Sequence, residues 1–167
     1  ALMMRETEHR VIMMDPKNRQ SFIRDEAAYR DRICRMLGAS DIVKVSDEDL
    51  AWLAGHDNFE RAAQDLLSDG TKLVCVTQGA DGVTGSSAAG RVFVASQRVE
   101  VVDTVGAGDT FNAGLLAALD DAGVLEKTKI AALDEKTIEA ALSLGSRAAA
   151  ITVGRAGANP PTRTELG

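Results

Sequence analysis

The sequence is poor in the residues on which many binding and scaffold proteins depend. It holds two cysteines, two histidines, three prolines and few aromatics, namely one tryptophan, one tyrosine and four phenylalanines in 167 residues. Cys34 and Cys75 lie far apart, with neither metal-ligand spacing nor the density of a disulfide framework, so two reduced, mostly buried thiols are expected. His9 and His56 have no partnered spacing and are expected in surface or local structural roles. Tyr29 and Trp52 read as helix packing or partly exposed residues, since an isolated aromatic does not make a sugar platform. No window approaches an unbroken 18-residue apolar run and no charged-then-apolar leader opens the chain. Neither a membrane span nor a secretory signal is expected, and cytoplasm is the expected location. Nineteen basic against 25 acidic residues leave a net charge of −6, which argues against a broad nucleic-acid-binding face.

What remains is the composition of one globular domain, 45% apolar and 26% charged. Arg10–Asp15 is a nearly continuous apolar run ending in an acid before Pro16, and reads as a buried strand opening into a loop. Apolar residues recur at helical spacing from about Arg24 to Leu37. Asp41–Val45 predicts a second strand, Ser46 a helix start running through Leu53, and Phe59–Leu67 another helix. Lys72–Thr77 predicts a third strand. Strand and helix alternate here at the spacing of a parallel-rich sheet flanked by helices, an α/β fold. Glycines then punctuate Gly82–Ser86 and Arg91–Ala95, predicting a hairpin or an edge excursion. Val99–Val102 approaches a glycine-rich turn, Thr110–Leu119 predicts a helix, and Asp134 caps another over Lys136–Ala150. Ile151–Val153 leads to a final glycine-rich segment, and Asn159–Arg163 reads as loop. A parallel strand at 10–14 with little ahead of it is expected at a sheet edge unless other strands cover it.

The chemistry concentrates at Gly106-Ala107-Gly108-Asp109. Two glycines allow tight backbone geometry, and the first amides of the following helix lack internal acceptors, so the turn is able to hold an anion. An acid at its edge could take a proton from an attacking alcohol. A tight strand-to-helix turn with Asp109 supplying helix-end electrostatics explains the same residues equally well. The G-x-x-x-x-G-K-[ST] pattern is missing, and Phe111 stands where a dinucleotide-binding turn needs its third glycine.

The longer string DTVGAGDTFNAG at 103–114 resembles a signature of the ribokinase-like, or PfkB-type, carbohydrate kinases. VIMMDPKNRQSFI at 11–23, IVKVSDEDLAWLAG at 42–55, VTQGADGV at 76–83 and GRAGANPPTR at 154–163 extend the resemblance over essentially the whole chain, most similar to the C-terminal part of bacterial fructokinases. The resemblance implies that Asp109 is the base that activates a sugar hydroxyl, and that Gly106, Ala107 and Gly108 form the anion hole. It implies ATP and Mg²⁺, with Thr77, Gly79 and Gly82 bordering the nucleotide and Gly157, Ala158 and Asn159 near the adenine. It implies K⁺ at Asp103 and the Val105 carbonyl, for which a strand-end acid satisfied by turn amides is the competing reading. Asp49 stands where relatives carry a glutamate that organises magnesium through water, and a capping role for Ser46 and Asp49 is compatible with it.

One departure stands out. Fructokinases commonly read Asp-Pro-Asn-x-Arg where this chain has Asp15-Pro16-Lys17-Asn18-Arg19. The resemblance further implies that the N-terminal sugar-recognition region and its lid are lacking, and that residues 1–167 form a partial phosphoryl-transfer domain with low or absent activity in isolation. The complete enzyme is expected to phosphorylate a sugar, with fructose to fructose 6-phosphate the first expectation. The other reading is a non-catalytic binding or assembly module that keeps a vestigial anion loop. Expected partners are a small-molecule sugar, with no nucleic acid or membrane, and either a second copy or a missing N-terminal half.

Overall fold

The computed structural model describes residues 2–18 and 20–167, so Arg19 of the Asp-Pro-Lys-Asn-Arg motif lies outside the described residues. Five strands form one mixed sheet in the order β1 (Met13–Met14), β2 (Ile42–Ser46), β3 (Leu73–Thr77), β4 (Gly82–Ser87) and β5 (Gly90–Ala95). The first three run parallel, with Ile42 opposite Leu73 and Lys44 opposite Cys75. The glycine-punctuated stretch folds as expected into an antiparallel hairpin that extends the sheet from β3.

Alternation along β2 and β3 divides the core into two layers. Val43, Val45, Val74 and Val76 pack against α2 (Glu26–Gly38), α3 (Asp47–Ala54) and α4 (Phe59–Ser68). Ile42, Leu73 and Cys75 face the opposite way, against α5 (Ala107–Asp121) and α6 (Glu135–Val153). Polar caps start four of these helices. Asp25, Ser46, Asn58 and Asp134 accept from the backbone amides of Ala28, Asp49, Arg61 and Thr137 respectively, each satisfying a donor that the first turn leaves unpaired.

Helices α5 and α6 approach closely because glycine faces glycine. A β-carbon on Gly114 would stand 2.8 Å from the Gly145 Cα, and one on Gly145 would stand 2.9 Å from the Phe111 carbonyl oxygen. Any side chain there pushes the two helices apart, and α5 carries the glycine-rich turn at its head.

Several expectations are corrected. The first strand shrinks to Met13 and Met14, which are half-buried and not buried as expected, although the Ile12 carbonyl already accepts from the Asp41 and Ile42 amides. Helix α5 begins at Ala107, three residues earlier than its apolar spacing suggests, so Asp109 belongs to its first turn. Ile151–Val153 continues α6 instead of leaving it. Two short helices, α1 (Leu2–Glu6) and α7 (Arg163–Leu166), lie where none was expected. In α7 a Thr162–Glu165 capping box starts the turn. Cys75 is buried but Cys34 is exposed, since it lies off the Ile33–Leu37 stripe by which α2 meets the sheet. Tyr29 and Trp52 pack edge to face with Arg30 stacked over the indole, a helix–helix contact as expected.

Candidate active site

The turn before α5 is fixed from both sides. The amides of Val102 and Asp103 donate to the Val153 carbonyl, which ties the approaching chain to the end of α6. Asp103 then joins two loops. Its Oδ1 accepts from the Val105 amide at 3.0 Å and its Oδ2 from the Gly157 amide at 2.9 Å. These amides, Val105 first and Gly157 next, hold the carboxyl below the usual aspartate range. Backbone amides thus satisfy Asp103 as the competing reading expects, but no strand ends there, since β5 stops at Ala95.

Gly106 caps α5 in the left-handed conformation, φ 80°. A β-carbon there would be strained and would meet the Ala158 methyl at 2.9 Å, so this position demands glycine for its φ and its neighbour alike. The Gly106 carbonyl accepts both the amide and the hydroxyl of Thr110, and the Ala107 amide reaches the Thr104 carbonyl at 3.3 Å. The next amides open the helix without an intrahelical acceptor. Asp109 sits there exposed, and among the described residues no side chain or amide outside the helix binds its carboxylate.

Beside this helix head lies a charge cluster of which the motif reading marked Asp15 and Lys17 but not Lys44 or the part of Asn112. Lys44, in the middle of β2, is 2% exposed, and its Nζ stands 3.4 Å from Asp15 Oδ2. The same Oδ2 accepts from Asn112 Nδ2 at 3.0 Å, one turn into α5. Lys17 Nζ lies 3.3 Å from the other oxygen, Oδ1. Gly108 is the bare wall facing these groups: a β-carbon on it would be 3.2 Å from Lys44 Nζ, 3.7 Å from Lys17 Nζ and 3.9 Å from Asp15 Oδ2. Burial pushes the Lys44 ammonium below its ordinary pKa, Asp15 opposes that shift, and Lys17 adds to it. A lysine at the centre of Ile42-Val43-Lys44-Val45 was the available signal. Lys44 shares the strand face of Ile42, which forces it into the interior.

A cleft of about 750 Å³ runs along this cluster. Thr77, Gly79 and Gly82 line it from the β3–β4 side, and Ala107 and Gly108 from the head of α5. Lys17 and Lys44 reach it, as do Asp47 and Glu48 from the first turn of α3. Gly106, Asp109, Asp103 and Val105 are not among its lining residues, and neither are Gly157, Ala158 and Asn159. The last three are brought to the glycine turn instead, through the Asp103–Gly157 bond and the Gly106–Ala158 contact. Asp49 is engaged elsewhere. Its Oδ1 accepts from the Asn18 amide and its Oδ2 from the Ser46 hydroxyl, while the Asn18 side chain donates to the Asp49 carbonyl. Asp49 thus pins the Asp15–Asn18 loop to α3.

Comparison with known proteins follows the same lines. The model of the pfkB family of carbohydrate kinases matches residues 4–165. The chain is 48% identical over 130 residues to a fructokinase of Rhizobium leguminosarum bv. trifolii, covering 78% of this chain and 40% of that protein. It is 38% identical over 90 residues to an aminoimidazole riboside kinase of Salmonella typhimurium, 54% of this chain and 28% of that one. Among solved structures, a fructokinase double mutant of Vibrio cholerae O395, bound to fructose, ADP and potassium ion, superposes with a TM-score of 0.79 at 27% identity, covering 92% of this chain and 48% of that one. Aminoimidazole riboside kinase of Salmonella enterica, complexed with aminoimidazole riboside and an ATP analog, gives 0.78 at 28% identity over 93% of this chain and 50% of that one. The chain spans half or less of the length of these relatives. With its model matching nearly the whole chain, the family is shown: the chain belongs to the pfkB family of carbohydrate kinases.

Proposed function

We propose that residues 1–167 form the phosphoryl-transfer side of an ATP-dependent sugar kinase, with fructose phosphorylated at its 6-hydroxyl in the complete enzyme. The observation that carries this reading is the buried Lys44 ammonium against the bare wall of Gly108 at the head of α5. A buried cation, a helix N-terminus and a side-chain-free wall form an electrostatic trap for phosphate oxygens. The nucleotide lies along Thr77, Gly79 and Gly82, with its terminal phosphate at Ala107 and Gly108. The sugar hydroxyl oxygen attacks the γ-phosphorus, the bond to the β–γ bridging oxygen breaks, and ADP leaves with that oxygen. Asp109 takes the hydroxyl proton, and Lys44 with the helix amides stabilises the equatorial oxygens.

Among the described residues no cluster of three or more metal-ligating side chains exists. The cleft-lining carboxylates of Asp47 and Glu48 are hard oxygen donors that would hold Mg²⁺ together with a bound nucleotide, with Asp49 one step removed. Bound there, Mg²⁺ supplies neutralisation of the polyphosphate charge. Asp103 and the Val105 carbonyl offer the oxygen donors that suit K⁺, and the amide-held carboxylate keeps its negative charge for it. No described helix is long and apolar enough to cross a membrane.

The test is ATP turnover with fructose and related sugars, for this chain and for the chain joined to the N-terminal half of a relative. Asp109→Asn, with its fold verified by circular dichroism, is expected to lower turnover by about 10²–10⁴-fold. Undiminished turnover in that variant overturns the assignment of the base. A second reading, a non-catalytic assembly module, draws support from the exposed apolar side chains of Phe93, Val101, Val102 and Val105. Specific association without turnover in either form favours it.

A further inference from the structure

We infer that Lys17 is a second cationic arm of the phosphoryl site, selecting nucleotides that carry a γ-phosphate. The inference rests on the nucleotide reading above and adds to it a ligand for the transferred group. Three bonds hold the chain at the Lys17–Asn18 peptide and at Asn18. The Tyr29 hydroxyl donates to the Lys17 carbonyl at 3.2 Å, the Asn18 amide to Asp49 Oδ1 at 3.1 Å, and Asn18 Nδ2 to the Asp49 carbonyl at 2.9 Å. The loop is thus fixed to α2 and α3, and the half-exposed Lys17 side chain ends over Gly108 beside Lys44.

The charge balance then asks for an anion. Lys17 and Lys44 share one carboxylate, Asp15, next to the positive end of α5. Asp15 Oδ1 is buried and makes no aligned hydrogen bond, so its contact with Lys17 at 3.3 Å is an ion pair of loose geometry. Oδ2, in contrast, is taken by Lys44 and Asn112. Lys44 is held, and Lys17, half exposed, remains free to turn from Asp15 to an incoming phosphate oxygen at little cost. Arg98, Asp47 and Glu48 also border the cleft. Asp47 and Glu48 repel a bare polyphosphate and accept one accompanied by Mg²⁺. A group bearing two negative charges at one point, the terminal phosphoryl of ATP, answers this arrangement better than a neutral sugar hydroxyl does.

The experiment is calorimetric titration of the chain with ADP and with the β,γ-imido analogue of ATP, at saturating Mg²⁺, for the parent, Lys17→Asn and Lys17→Arg. Lys17→Asn is expected to weaken the imido analogue by about five- to tenfold, a charge-assisted contact discounted for exposure. ADP should change by less than about twofold, and Lys17→Arg should keep most of the discrimination. Lys17→Gln serves in place of Lys17→Asn if thermal melting shows the latter to be unfolded. Equal weakening of both nucleotides, or of neither, overturns the role of Lys17 and leaves the nucleotide site standing. Failure of the parent to bind either nucleotide overturns both readings together.

Discussion

The two faces of β2 and β3 are built on different rules, although they belong to the same ten residues. One face is four valines, Val43, Val45, Val74 and Val76, all fully buried against α2, α3 and α4. The other carries Ile42, Lys44, Leu73 and Cys75, and meets helices that touch through glycine. The valine face is stabilised by the volume it fills. The α5–α6 face is organised by what it leaves out: side chains at Gly114, Gly145 and Gly108, and a full complement of apolar groups at Lys44. Omission on that face brings the helix head close to the sheet and places an ammonium beside it. A buried charge costs stability, and it stands where the phosphate site proposed above would draw on positive potential.

This contrast predicts opposite responses to adding and removing carbon. On the valine face, Val76→Ala should lose about 2 kcal/mol through lost burial and a residual cavity. Gly114→Ala, within a helix, would ordinarily gain about 1 kcal/mol from propensity. Here the added methyl meets the Gly145 backbone at 2.8 Å, and overpacking against backbone reverses the sign, giving a net loss of about 2 kcal/mol, with Gly114→Val larger still at about 3. Urea denaturation of the variants decides it. A stabilised Gly114→Ala breaks the comparison, because the two helices would then have room between them.

A smaller effect sharpens it. Lys44→Met keeps length and removes charge, while Asp15 retains Lys17 and Asn112. Burial outweighs Asp15 in setting the lysine's proton affinity, so the apolar variant should be more stable by about 1 kcal/mol at neutral pH. The sign with pH follows from proton counts. Between its lowered folded pKa and the ordinary value of 10.5, Lys44 binds fewer protons folded than unfolded, so the parent's stability rises with pH through that window. The advantage of Lys44→Met is therefore largest at neutral pH and shrinks toward pH 10.5. The same substitution should abolish measurable nucleotide binding. Stability gained with binding retained would make Lys44 a structural residue only.

The parts of this organisation legible in the sequence are those with local causes. Apolar runs placed β2 and β3, Ser46 and Asp134 marked helix starts, and spaced glycines marked the β4–β5 hairpin. Gly106 to Asp109 carried the family resemblance. Charges brought together over distance were illegible. Asp15 and Asn112 meet although 97 residues separate them, and Lys44 joins them because strand alternation turns it toward α5. The start of α5 was misjudged because Ala107-Gly108-Asp109 holds one small apolar residue, too little to show helical spacing, although the backbone turns helical at Ala107. Cys34 was misplaced for a related reason: an amphipathic stretch tells which stripe is buried only after the partner surface is known.

The smallest perturbation leaves the fold intact and reads the closure of the α5–α6 face directly. Cys34 is exposed and Cys75 is buried, its thiol pushed up to about 12 by burial despite the nearby Lys44 ammonium. The thiolate is the reactive form, so at pH 8 Cys75 lacks both the charge state and the access that a disulfide reagent requires. One thiol per chain should react within minutes in the native protein. The second should follow only at the rate of opening, rising with urea in parallel with unfolding. Gly114→Ala, by prising α5 from α6, should speed the second reaction, whereas Val76→Ala should speed it only as far as it lowers global stability. If Cys75 reacts as fast as Cys34 in the parent chain, the face that holds Lys44 is open to water, and its ammonium no longer owes its lowered proton affinity to burial.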